Sequence, residues 1–230
     1  NYLIANGSST ISSDITLTKS KSPYVVNNIT QPYQDNAILI IEPGVVIKFY
    51  NDAGIYFSGN SKITARGTAE EPIVFTSFND DTYGGDLDNA STTPTSGGWF
   101  GVNINTTNND SVFDRTIFRY GGKYYTSGDY SRANLGAQNS SVNVSNSVFE
   151  SSFVYGIKLV NSSSNVSNNI IKNNGDSGIY ILSGNPTITN NTIEQNSRGI
   201  YTTGSSAAIS SNSVNFNTNE AISSSFICSF

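Results

Sequence analysis

The chain has 230 residues, with 12 Lys+Arg against 17 Asp+Glu for a formal net charge of −5, no His, no Met and one cysteine, Cys228. A net-acidic chain without a basic stripe excludes a nucleic-acid partner, and the lack of His removes Ser-His-Asp, Cys-His and most zinc chemistry. No apolar run nears the roughly 18 residues of a spanning helix, which speaks against membrane insertion, and a lone cysteine forms neither an intrachain disulfide nor a thiolate cluster.

Only 13% of the residues are charged, but the apolar ones are mostly β-branched or aromatic and recur in order, which argues for strands rather than disorder. The order is a repeat: apolar-x-x-Asn-x-apolar-x-x-Asn, a few residues, then Gly-Ile-x-apolar. Its period is about 22 residues, the mark of a solenoid. Asn, Ser, Thr and Gly at this density are poor helix formers. One period suits a coil of three short strands and three turns, stacked on the last at about 4.8 Å.

In chain order, residues 1–35 supply N-terminal capping strands. "AILIIEPGVVIKF" (37–49) gives two strands of the first coil. "GIYFSGNSKITARGTAEEPIVFTS" (54–77) is a full coil with Ile55, Phe57, Ile63, Ala65, Ile73 and Phe75 facing inward. An insertion follows at 77–98, then "GWFGVNI", with Val102 and Ile104 inward. "FDRTIFRYGG" (113–122) puts Thr116 at the first Asn position, and a second insertion covers 121–132. Residues 133–230 form regular coils, with Ser147, Asn169, Asn191 and Asn212 at the first Asn position and Ser152, Asn174, Asn196 and Asn217 at the second. Asn suits such bends because it tolerates a left-handed backbone and its amide bonds the Asn one coil away. The expectation is an all-β, single-domain parallel β-helix of about eight coils over residues 1–230, with two long loops on one edge.

The segments "ILIIEPGVVIKF", "GTAEEPIVFTS", "DDTYGGD…GGW" and "RTIFRYGG", with the Asn-Gly-Ile repeats, resemble right-handed parallel β-helix repeat proteins of bacterial and archaeal surfaces, whose fold is shared with pectate lyases. "ISSDITLTKSKSPYVV" resembles the opening strand of that family. The resemblance implies a right-handed coil and a secreted or cell-surface location. It implies no single function, since enzymes, adhesins and structural modules share the fold.

Both insertions precede the Gly-Ile-x-apolar strand on consecutive coils, so they should leave one edge and touch. Long loops on a rigid scaffold are where binding concentrates. In the first, Asp80, Asp81, Asp86 and Asp88 lie on a Gly-rich stretch. Such hard oxygen ligands suit Ca²⁺, although the spacing is not that of an EF-hand; the alternative is a solvated loop closed by Asx turns. In the second, Tyr124, Tyr125 and Tyr130 lie near Trp99, the only tryptophan, with Lys123 and Arg132 beside them. Aromatic faces next to polar groups suit a sugar, or the tyrosines pack as a lid.

Two outward columns follow from the register. Tyr56, Asn103, Gly136, Lys158, Tyr180, Tyr201 and Ser223 form one, with Tyr180 and Tyr201 stacked face to face. Arg119, Glu150, Lys172, Glu194 and Asn215 form the other, with alternating signs that pin register rather than catalyse.

The leading functional expectation is a non-enzymatic extracellular module that adheres to or recognises a polysaccharide through the loop edge. One alternative is a structural subunit self-associating end to end in a surface layer or filament, with Phe226, Ile227 and Phe230 at the contact or folded across the opening as a plug. Another is a polysaccharide lyase using the acidic loop's cation with Lys123, Arg115 or Arg132 as base.

Overall fold

The computed structural model describes residues 2–5, 11–27, 31–33, 36–90, 92–124 and 132–225. Within them, parallel strands wind into three sheets of nine, eight and eight strands, a right-handed parallel β-helix of about eight coils. One coil shows the path: Lys62–Arg66 in the third sheet, Ile73–Ser77 in the first, Val102–Thr106 in the second. The chain then returns to the third sheet at Ser111–Asp114. The right-handed sense is the one that parallel crossovers take.

Alternation along each strand fills the interior. Ile55, Phe57, Ile63, Ala65, Ile73, Phe75, Val102 and Ile104 are all buried. Because every coil repeats the register, like residues meet like. Phe75, Phe118 and Phe149 pair in sequence across three coils, with ring centroids 4.4 and 4.9 Å apart. Each fully buried side chain of this size contributes about 1.5–3 kcal/mol.

The bends assign two jobs to two neighbouring residues. Asn169, Asn191 and Asn212 form one amide ladder, and Asn174, Asn196 and Asn217 a second. In each, the side-chain oxygen of one Asn accepts from the backbone N–H of the Asn one coil earlier, at 2.9–3.0 Å. Thr116 and Ser147 begin the first ladder, with the Thr116 N–H donating to Ser147 Oγ at 3.0 Å. The left-handed backbone falls one residue before each ladder Asn: Asn168 (φ 59°), Asn173 (φ 56°), Asn190 (φ 57°), Gln195 (φ 57°), Ser211 (φ 57°) and Phe216 (φ 54°). The expectation that one Asn does both is therefore corrected. The ladder Asn turns inward to bond, and its neighbour absorbs the turn.

Burial thins over the last coil, where Ile222 is half-exposed. Phe226, Ile227 and Phe230 lie outside the described residues.

Candidate functional site

Both insertions leave the bend between the first and second sheets, one between Ser77 and Val102 and the other between Arg119 and Ala133. They touch as expected. The Gly97 N–H donates to the Gly121 carbonyl at 3.2 Å, Gly98 N–H to Tyr120 O at 2.8 Å, and Lys123 N–H to Trp99 O at 3.0 Å. Gly121 O also accepts from Phe153 N–H at 2.9 Å, which ties in the next coil. The edge is thus fixed by main-chain bonds across consecutive coils.

Trp99 departs from its expected place in an exposed patch. Its side chain is fully buried, stacked on Phe49 with centroids 4.1 Å apart, and its Nε1 donates to Arg119 O at 2.7 Å. The inserted coil brings the indole inside the barrel corner, where a satisfied N–H removes the cost of burial. Gly121 makes room: a Cβ there would come within 3.1 Å of the ring.

The acidic loop is not gathered around one point either. Asp80 is buried, accepts from Thr76 Oγ1 at 2.6 Å and pairs with Arg119 Nη1 at 3.1 Å. Asp86 Oδ1 instead accepts from the N–H groups of Asp88 and Asn89, at 3.1 and 2.8 Å, and Asp88 Oδ1 from Ala90 N–H at 2.9 Å. Asp81 is exposed. Among the described residues, no three carboxylate or thiol side chains are grouped to hold a metal.

The countercharges come from the chain itself. Lys48, a buried lysine that the sequence reading passed over, donates to Gly85 O at 2.5 Å. Burial pushes its ammonium below the ordinary lysine value, against the pull of Asp81, Asp80, Asp86 and Asp88. Lys48 pairs in register with Thr76, which holds Asp80. Arg119, Glu150, Lys172 and Glu194 follow in the pairing order expected, with Arg119 Nε 2.8 Å from Glu150 Oε1 and Lys172 Nζ 3.7 Å from Glu150 Oε2. The loop thus inserts Asp80 where the alternating column would otherwise carry an uncharged Thr76.

Tyr124 and Arg132 do come together. The guanidinium lies 4.1 Å over the ring, and with Phe153 and Val154 they line a groove of about 250 Å³. Phe153 is 56% exposed and Tyr124 50%. Lys123 turns away from them and pairs with Asp52 at 2.7 Å. Tyr125 and Tyr130 lie outside the described residues. Arg115 occupies a different bend, between the third and first sheets, and pairs with Asp114 at 2.9 Å.

Phe153 was missed, although a signal existed. It directly follows the ladder residue Ser152, where the other coils have Gly175, Ser197 and Thr218. A large apolar residue in that exposed turn is the outlier.

The Tyr180 column has the expected pairing from Tyr56 through Asn103, Gly136, Lys158, Tyr180 and Tyr201 to Ser223. Its stacking differs. Tyr155 lies face to face with Tyr180 at 4.7 Å and 15°, whereas Tyr180 and Tyr201 are tilted by 45°. Arg198 lies 4.0 Å over the Tyr201 ring while its Nη2 meets Asp176 at 2.6 Å, so cation and ring compete with coplanar stacking.

The family described as "right handed beta helix region" matches residues 3–218. The chain belongs to the right-handed β-helix family. Neither the curated proteins nor the solved structures yield a match. Among the described residues, no helix of this β-helix protein is long and apolar enough to cross a membrane.

Proposed function

We propose that this β-helix protein is a non-enzymatic recognition module that works outside the cell and binds a glycan in the groove of Tyr124, Arg132, Phe153 and Val154. The observation that carries the reading is the pair of half-exposed aromatic side chains beside a cation, held on two consecutive coils that main-chain bonds tie to each other and to the first insertion. Flat apolar faces take sugar C–H groups, and a preformed edge reduces the ordering cost of binding. Tyr155 and Tyr180 already cover each other's faces, which suits a structural role for them.

Hydrolysis needs two free carboxyls about 5–10 Å apart. Four carboxylates near this edge are engaged in ion pairs instead: Asp52 with Lys123, Asp80 with Arg119, Glu150 with Arg119 and Asp176 with Arg198. Those pairings support binding without turnover. The extracellular placement rests on the polar, weakly charged composition and on the likeness to surface repeat proteins.

A glycan array is the test. Retention of at least one glycan is expected, with loss in Tyr124→Ala and Phe153→Ala and an unchanged far-UV spectrum. An array on which the wild type retains nothing contradicts the proposal.

A further inference from the structure

We infer that the glycan bound here is anionic, and that Arg132 reads its carboxylate or sulfate. The inference rests on the groove being the glycan site and adds the charge of the ligand.

Arg132 differs from the other cations along this edge. Lys123, Arg119, Lys172 and Arg198 each lie within 4.0 Å of a carboxylate. Arg132 is exposed and has no carboxylate within that distance among the described residues. Among the described residues, the groove is lined by Tyr124, Arg132, Phe153 and Val154, with no acid. In a chain of net charge −5, a guanidinium with no acid beside it among the described residues of an aromatic groove is a local reversal of sign.

Its chemistry suits an oxyanion. The guanidinium carbon lies 4.1 Å from the centre of the Tyr124 ring, and a guanidinium carries the fork of N–H donors that matches a carboxylate or sulfate in bidentate fashion. Its backbone is fixed as well. Arg132 has φ 86°, left-handed for a residue with a Cβ, and its carbonyl accepts from Tyr155 N–H at 2.9 Å. Such a backbone costs free energy and persists where its surroundings impose it, often at binding sites. Phe153 lies against Gly97, where a Cβ on Gly97 would come within 3.2 Å of the Phe153 Cβ. A sugar ring placed on Phe153 and Tyr124 would then bring a ring substituent toward Arg132. The contact is a charge-assisted one in a partly apolar setting, so it adds discrimination as well as affinity.

The test uses a short oligouronate, its carboxyl-reduced neutral counterpart of the same length and a sulfated oligosaccharide, titrated calorimetrically into the wild type, Arg132→Gln and Arg132→Lys. The expected result is that the wild type binds an acidic probe and binds the reduced one roughly ten- to hundredfold more weakly. Arg132→Gln should lose that preference, and Arg132→Lys should regain part of it by charge without the fork. Whichever acidic probe binds identifies carboxylate or sulfate as the group read. Equal binding of acidic and neutral probes, unchanged by Arg132→Gln, overturns the anionic reading and leaves the glycan site standing. Binding of none of the three, together with an empty glycan array, overturns both.

Discussion

Asn191 Oδ1 accepts from both the backbone N–H and the side-chain Nδ2 of Asn169, one coil earlier, each at 2.9 Å. The Asn191 amide in turn donates to Val166 O at 3.0 Å and to Asn212 Oδ1 at 2.9 Å. One buried side chain thus satisfies partners on both neighbouring coils. Asn191→Leu is expected to cost about 1–3 kcal/mol, because it orphans the buried Asn169 N–H. Its neighbour Asn190, at φ 57°, supplies backbone tolerance instead. Asn190→Gly should be close to neutral, while Asn190→Val should cost about 1–2 kcal/mol. Urea denaturation of the three variants separates the two jobs; equal losses for all three would show that the bend does not divide them.

The Asp80–Arg119 pair should dominate the stability of the first insertion. Asp80 is 1% exposed and the Arg119 side chain 16%, so removing one charge leaves the other poorly solvated. Asp80→Asn is expected to destabilise by about 3 kcal/mol. Exposed Asp81→Asn should cost less than about 0.5 kcal/mol. With Asp80 committed to Arg119 and Thr76, millimolar calcium is expected to leave Tm where EDTA leaves it. A calcium-dependent rise in Tm that Asp80→Asn abolishes would contradict this assignment.

Lys48 gives a pH signature. Its folded pKa lies below its unfolded value of about 10.5 because burial disfavours the ammonium. Between those two values the unfolded chain binds the extra proton, so stability rises with pH in that window. Below the folded pKa the penalty is fully present. The comparison of urea midpoints for wild type and Lys48→Met, from neutral pH to about 10, isolates this group. The wild type should gain stability relative to Lys48→Met as pH rises, and parallel curves would sink the explanation.

Trp99 and Phe153 should exchange the roles that exposure at the insertions suggests. Trp99→Ala empties a corner of the core and is expected to cost about 3–5 kcal/mol. Phe153→Ala should cost little stability and abolish glycan retention. Thermal melts alongside binding to the array check both; a stable, non-binding Trp99→Ala would reverse the assignment.

These contrasts mark what was legible in the chain. Where the period is unbroken, counting sufficed: the ladder from Ser147 to Asn212, the column from Glu150 to Asn215 and the pairing of Tyr180 with Tyr201 all follow from a 21–22-residue register. Alternation cannot be counted through an insertion, so the face of Trp99 was not readable and its solitude was misleading. The position of Asp80 depends on how the loop closes over Lys48 and Arg119, two cations from different coils. Their shared column was there to be extended backwards from Arg119. Phe153 was readable as the one bulky residue in a turn otherwise filled by Gly, Ser or Thr, and the groove became visible only when the insertion's Tyr124 and Arg132 were placed beside it.

The most direct test of the recognition site is amide chemical-shift mapping of the folded protein with a glycan that the array retains. Shifts are expected to concentrate at residues 121–124, 132–134 and 153–155, with the ladder amides of Asn169, Asn191 and Asn212 unmoved. Shifts centred instead on Tyr180 and Tyr201, on the Arg115 bend or on the last coil would contradict the groove as the binding site.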